Sequence, residues 1–158
     1  MTDVIVARAL HVLAVVIWIG GLTMVTTVIL PAVRRGAFCL DRLRAFQAIE
    51  HGFAWQARSA IIVVGLTGLY MVWRLDLWDR FRAAAYWWMD AMVCLWLLFV
   101  FVLFIAEPFI LRRHFRRWAM ARPDTAFAWL HRGHWFLLVL ASFTILGAVA
   151  GSQGWSVF

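Results

Sequence analysis

The chain has 158 residues, of which 65% are hydrophobic and only 15% are charged. A soluble domain carries about 25% charged residues, so this composition excludes an ordinary soluble protein and indicates a membrane protein. The net charge is +7 and every basic residue is an arginine. These arginines lie between apolar runs, which is typical of membrane topology signals and argues against a nucleic-acid partner.

Four apolar runs are long enough to cross a bilayer as α-helices. A spanning helix needs about 20 mainly apolar residues, and no run alternates as β-barrel strands do. The predicted helices cover residues 4–33, 51–73, 86–111 and 130–151. Residues 36–50 mix apolar and charged positions, which predicts an amphipathic segment at the membrane surface. The sequence therefore predicts one domain, 1–158, an all-α integral membrane four-helix bundle.

The arginine distribution predicts the orientation of this bundle. The first and third connections, which share one side, hold nine arginines: Arg34, Arg35, Arg42, Arg44, Arg112, Arg113, Arg116, Arg117 and Arg122. The other side holds four: Arg8, Arg74, Arg80 and Arg82. Because arginine-rich loops stay in the cytoplasm, we expect both termini outside it, in the periplasm of a bacterium. The expected location is the inner (cytoplasmic) membrane, crossed several times.

Small residues predict where the helices pack closely. Glycine pairs occur at positions 20 and 21 of the first helix, 65 and 68 of the second, and 147 and 151 of the fourth. In lipid, such positions allow close van der Waals contact between neighbouring helices.

Ionisable side chains at membrane depth are costly, so each is a candidate functional group. The group predicted on the cytoplasmic side consists of His51, Arg58, Glu107, His131 and His134. An ion pair between Arg58 and Glu107 would neutralise both charges. Alternatively, His51 with His131 or His134 would ligate a b-type haem, with Arg58 near its propionates.

A second group is predicted near the periplasmic side. It consists of His11, Met71, Met89, Asp90 and Met92. Imidazole with thioether ligands suits Cu(I), and His with Met also suits haem iron. A pair between His11 and Asp90 is the alternative that needs no metal.

The stretch Ala9-Leu10-His11-Val12-Leu13-Ala14 through Trp18-Ile19-Gly20-Gly21 resembles the first helix of the CopD-like and HemJ-like membrane families. Residues 60–69 also resemble the second helix of these families. The HemJ-like resemblance implies a haem-dependent oxidase of protoporphyrinogen, with His11 as a haem ligand. It also implies a lysine on the third helix, but that region reads Met89-Asp90 and the chain has no lysine. The CopD-like resemblance implies copper handling from the periplasmic side.

Three functions follow as hypotheses. The first is a haem b-binding membrane protein, redox-active or associated with a respiratory enzyme; as an enzyme it would be a haem-dependent oxidoreductase. The second is a copper-binding or copper-transfer protein. The third is a non-catalytic membrane subunit or assembly factor. The expected partners are the lipid bilayer and another membrane or respiratory protein. Assembly into a homo-oligomer is a further alternative. No nucleophile motif, phosphate-binding glycine loop or metalloprotease motif is present.

Overall fold

The structure is a computed structural model that describes residues 1–36 and 42–155, and their side chains except at positions 42–48, 50, 110–113 and 116. The described regular elements are helical: α1 (Thr2–Arg34), α2 (Arg42–Arg74), α3 (87–111), α4 (Arg112–Ala121) and α5 (Pro123–Ser152). Short 3-10 turns, Trp78–Arg82 and Ala84–Tyr86, connect α2 to α3. Four helical stretches are long and apolar enough to cross a membrane: Thr2–Arg34, His51–Arg74, Ala84–Phe109 and Pro123–Ser152.

Local sequence explains where several helices begin and end. The helical part of α1 stops at Arg34, and Gly36 follows with a φ of 77°, the left-handed conformation that commonly closes a helix. Pro123 occupies the first turn of α5, where its fixed φ favours a helix start and its missing N–H costs nothing.

Two helices continue past the apolar runs because charged, helix-forming residues extend them. The amphipathic segment predicted at 36–50 is helical from Arg42 and leads without a break into the second apolar stretch; residues 37–41 lie outside the described part. The predicted connection 112–129 is itself helical, as α4 and the first turns of α5. Arginine and alanine, which dominate α4, are among the strongest helix formers.

The four long helices alternate in direction, which gives the bundle two distinct ends. The terminal end holds the start of α1, the 3-10 turns and the end of α5. The arginine-rich end holds the end of α1, the start of α2, helix α4 and the start of α5. Helix α1 packs most extensively against α2, and α3 packs most extensively against α5.

The core lies along one stripe of each long helix. On α1 the stripe consists of Ala7, Ala14, Trp18 and Leu22, and it meets Ala57, Ile61 and Val64 of α2, Leu95 and Phe99 of α3, and Leu138 and Ala141 of α5. The outward faces are also apolar; leucine, valine, isoleucine, phenylalanine and tryptophan side chains are exposed along all four helices. A helix that is apolar all round is suited to lipid or to the interior of a larger assembly.

The close packing expected at the glycines is made by aromatic rings rather than by neighbouring helix backbones. A Cβ atom at Gly65 would lie 2.5 Å from Cζ2 of Trp96, whose indole N–H donates to the Ile61 carbonyl over 2.9 Å. At the terminal end, Trp87 and Trp88 of α3 lie in the same way against Gly147 and Gly151 of α5. These glycines therefore leave room for large aromatic rings. A Cβ atom at Gly20 would have no neighbouring atom of the described residues within 4 Å.

Candidate functional site

Pro108 lies inside α3, within a stretch wound as a π-helix, Val102–Leu111. In a π-helix the N–H of each residue bonds to the carbonyl five residues earlier instead of four. Pro108 has no N–H, so the carbonyl of Leu103 loses its donor in this register. An unpaired carbonyl in an apolar environment costs several kcal/mol unless another group donates to it.

Arg58 of the neighbouring helix α2 supplies that donor. Its Nε donates to the Leu103 carbonyl oxygen over 3.0 Å. Its Nη2 forms an ion pair with Oε2 of the buried Glu107, the partner that the sequence predicts. The guanidinium carbon also lies 6.0 Å from the centre of the Phe104 ring. Arg58 therefore holds α2 against the part of α3 whose backbone the proline has disrupted.

The same arrangement occurs on α1. Residues Val25–Ile29 are wound as a π-helix, in which the N–H of Leu30 bonds to the Val25 carbonyl. The next residue is Pro31, so the next carbonyl in this register, that of Thr26, has no donor within the helix. Nε2 of His131, on α5, lies 2.9 Å from that Thr26 carbonyl oxygen. A polar side chain from another helix again replaces the missing proline N–H.

The partners of His131 decide its tautomer. Nη1 of Arg34 lies 2.9 Å from Nδ1 of His131. An arginine can only donate, so Nδ1 accepts, and the ring proton is on Nε2, which donates it to the Thr26 carbonyl. The indole nitrogen of Trp135 lies 3.0 Å from the same Nε2; with the proton there, we interpret this as a contact, not a second hydrogen bond. Both ring nitrogens of His131 are engaged, so haem ligation would require breaking one of these bonds.

The other two histidines predicted for haem ligation at this end differ from His131. His134 is partly buried on α5, and its Nδ1 lies 2.9 Å from the carbonyl oxygen of Leu130, one turn earlier in its own helix. His51 is exposed on α2. No hydrogen bond or ring contact among the described residues joins His51 to His131 or His134.

His11 lies on the core-facing stripe of α1, toward the terminal end, and its ring is fixed by α2. Nδ1 lies 3.1 Å from the Val64 carbonyl oxygen and 3.0 Å from Oγ1 of Thr67. The Thr67 hydroxyl donates to the Val63 carbonyl over 2.6 Å. A carbonyl can only accept, so Nδ1 of His11 carries the ring proton. Among the described residues Nε2 has no hydrogen-bond partner, and its lone pair is available to a metal.

Gly68 makes room for this ring. A Cβ atom at position 68 would lie 3.3 Å from Cε1 of His11, closer than most real contacts of that kind. The imidazole is therefore held by a hydrogen bond on one edge and by a glycine surface beneath it. A histidine that ligates a metal almost always donates its other N–H to a carbonyl or a carboxylate, as His11 does here.

Two buried indole N–H groups have no hydrogen-bond partner among the described residues: those of Trp18 and Trp88. Trp18 lies two turns beyond His11 on the same stripe of α1 and packs edge-on against Phe99, with ring centres 4.7 Å apart. A buried donor without a partner is rare in proteins and calls for a ligand, a water molecule or another explanation.

The other predicted residues of the group around His11 differ in their burial. Met89 is buried on α3, while Met92 on α3 and Met71 on α2 are half-buried. Asp90 is exposed, and among the described residues no hydrogen bond or ion pair joins it to His11, which bonds to the backbone of α2. Within residues 1–36 and 42–155, no three His, Cys, Asp or Glu side chains form a group that could hold a metal ion.

Sequence reasoning missed a second contact between α1 and α2, at the terminal end. The hydroxyl of Tyr70 donates to Oδ2 of Asp3 over 2.8 Å, and Nε of Arg74 donates to the same oxygen over 3.1 Å. An acidic residue in the first turn of one helix and a basic residue in the last turn of its antiparallel neighbour were the available signal.

A comparison with family models, curated proteins and solved structures finds no match to this chain. The resemblance to CopD-like and HemJ-like proteins therefore stays a prediction, and a function has to be inferred from the residues themselves.

Replacing Arg58 with leucine should cost less stability when Pro108 is also replaced by alanine. Pro108→Ala restores an N–H at position 108, which then bonds to the backbone and reduces the need for the Arg58 donor. The ion pair with Glu107 is lost in both backgrounds, so its contribution cancels in a double-mutant cycle. We expect a coupling of about 1–2 kcal/mol between the two positions, as for groups that share a hydrogen-bond network.

Unfolding free energies in mixed micelles, followed by circular dichroism, would measure this coupling. Pro31→Ala is the matched control, because it restores an N–H in α1, where His131 is the donor. The effects of Arg58→Leu and Pro31→Ala should add. Additivity of Arg58→Leu with Pro108→Ala as well would contradict the role given to Arg58.

Proposed function

We propose that this chain is an integral membrane protein of the bacterial inner membrane, with both termini in the periplasm. The apolar outward faces of four long helices support insertion, because such faces are stable in lipid and unfavourable in water. The orientation rests on the concentration of arginines in the first and third connections. On this proposal the arginine-rich end is cytoplasmic.

We further propose that the protein binds haem b and that His11 is an axial ligand. The observation that carries this proposal is the geometry of the His11 ring. Its Nδ1 donates to the Val64 carbonyl, and Nε2 has no partner among the described residues. That is the arrangement in which a histidine is oriented for a metal. The resemblance of residues 9–21 to the HemJ-like first helix supports the same residue.

The residues around His11 fit one axial ligand of a haem and a polar contact near it. Thr67 and Val64 orient the ring, which packs against Gly68. The Trp18 N–H, which has no hydrogen-bond partner among the described residues, offers a donor two turns away on the same stripe. A bound haem would supply one-electron chemistry, and the corresponding enzyme class is a haem-dependent oxidoreductase. His131, with both nitrogens engaged, is less suited to ligation than His11.

Copper is the second candidate, and one observation favours it. Met71 lies one turn beyond Gly68 on α2, toward the terminal end. Because the His11 ring packs against Gly68, Met71 occupies a helical position next to that contact. A thioether and an imidazole suit Cu(I). A membrane subunit or assembly factor without a cofactor is the third candidate, and the same experiment distinguishes it.

The proposed orientation predicts opposite labelling of two single-cysteine variants. In a background with Cys39→Ser and Cys94→Ala, Ser152→Cys introduces a thiol at the terminal end and Arg117→Cys introduces one on α4. A membrane-impermeant maleimide added to intact spheroplasts should label Ser152→Cys, and should label Arg117→Cys only after permeabilisation. The reverse pattern would invert the bundle, and equal labelling of both in intact spheroplasts would contradict a single orientation.

The haem proposal predicts a Soret band in the purified protein that depends on His11. Expressed with an adequate haem supply, the wild-type protein should show oxidised and dithionite-reduced spectra of a b-type haem. His11→Ala should lose most of the haem, because its axial ligand is gone. His11→Gly with added imidazole should recover part of it. His51→Ala is the matched control and should retain haem, since this histidine is exposed at the other end.

Metal analysis of the same samples separates the alternatives. Haem retained in His11→Ala would contradict the assigned ligand. A colourless wild-type protein with copper that is lost in His11→Ala would favour the copper function instead. A protein with neither group would favour the subunit or assembly role.

A further inference from the structure

A cleft with two arginines lies at the arginine-rich end, between the end of α1 and the start of α5. Its volume is about 430 Å³, and it is lined by Pro31, Arg34, Arg35 and Asp124. Two arginines and one aspartate line it, so the lining residues carry an excess of positive charge. The cleft lies far along α1 from His11 and belongs to no part of the proposed haem site.

Arg34 is fixed in this cleft by a chain of hydrogen bonds that begins at the proline. Pro31 leaves the Thr26 carbonyl without a helical donor, and His131 donates to that carbonyl through Nε2. This fixes the ring so that Nδ1 accepts from Nη1 of Arg34 over 2.9 Å. A guanidinium has five N–H donors. Among the described residues, only the Nη1 group of Arg34 has a hydrogen-bond partner. The remaining N–H groups of Arg34 can bind a ligand, and His131 already fixes the position of the side chain.

The charge and the place of the cleft indicate the ligand. Arginine binds phosphate through paired N–H donors in a fixed fork. Pro31 marks the last turns of α1 before its polar end, which is where a spanning helix meets the lipid headgroups. Basic pockets between helices on the cytoplasmic side are sites for anionic headgroups. We propose that this cleft binds the phosphodiester headgroup of an anionic phospholipid, with Arg34 and Arg35 as its ligands and His131 as the positioning residue of Arg34.

The proposal relies on the membrane location and orientation inferred above, and it is independent of haem. Native mass spectrometry of the full chain in detergent, titrated with phosphatidylglycerol or phosphatidylcholine, would test it. We expect phosphatidylglycerol to bind roughly tenfold more tightly, as one or two charge-assisted hydrogen bonds provide. Arg34→Gln and Arg35→Gln should each lose most of that preference. Arg117→Gln, an exposed arginine on α4 at the same end, is the matched control and should change affinity by less than about twofold.

Two variants of His131 test the positioning role. His131→Gln keeps one acceptor and one donor, and should retain much of the lipid preference. His131→Leu keeps neither and should lower the preference for phosphatidylglycerol about as much as Arg34→Gln does. The contribution of Arg35 to that preference should be unchanged. Circular dichroism and size-exclusion elution check that each variant is folded; if His131→Leu does not fold, Arg34→Gln and Arg35→Gln still decide whether the cleft is the site.

Other outcomes would overturn the proposal. If Arg117→Gln reduces binding as much as Arg34→Gln, the lipid recognises the diffuse charge of this end and not the cleft. If millimolar inorganic phosphate displaces the lipid, the cleft is a site for a soluble anion. If His131→Leu binds phosphatidylglycerol as the wild type does, His131 does not position Arg34. A failure to bind haem would leave all of these measurements unaffected.

Discussion

The arrangement of the bundle depends on one constraint: a carbonyl inside an apolar helix needs a donor, and a proline removes one. This happens twice, at Pro31 in α1 and at Pro108 in α3, and both helices widen into a π-helical stretch before or around the proline. In each case a side chain from another helix donates to the carbonyl five residues before the proline. The prolines therefore determine where Arg58 and His131 must lie relative to α3 and α1, because each side chain reaches its carbonyl from a neighbouring helix.

This constraint separates the polar groups of the bundle into different roles. An ionisable group within an apolar helix is often taken as a functional site, yet Arg58 and His131 both have structural hydrogen-bond partners among the described residues. His11 differs because its N–H bonds to a backbone carbonyl, while its other nitrogen has no hydrogen-bond partner among the described residues. Arg34 is intermediate: one N–H fixes the guanidinium, and its other N–H groups have no partner within the described part of the chain.

Much of the architecture was predictable because it depends on local chemistry. The four long apolar helices follow from the length of the apolar runs, and the Arg58–Glu107 pair follows from two opposite charges at similar positions along neighbouring helices. The partners of His131 and His11 were not predictable, since a histidine can bond to any backbone carbonyl that the tertiary structure exposes. The prolines were visible in the sequence, but which carbonyl each one frees depends on whether the helix is wound as α or π. Likewise, the spacing of Gly147 and Gly151 suggested close packing without showing that Trp87 and Trp88 provide it.

In the proposed function, His131 is a structural histidine and His11 is the haem ligand. Nitrogen-15 NMR of protein labelled only at histidine, recorded in lipid without haem and then with ferric haem, tests both halves directly. We expect the Nε2-protonated tautomer for His131 and the Nδ1-protonated tautomer for His11, assigned by His131→Gln and His11→Ala. On haem addition the His11 signals should shift or broaden paramagnetically while those of His131 stay in place. A paramagnetic change at His131 with His11 unaffected would show that these two assignments are wrong.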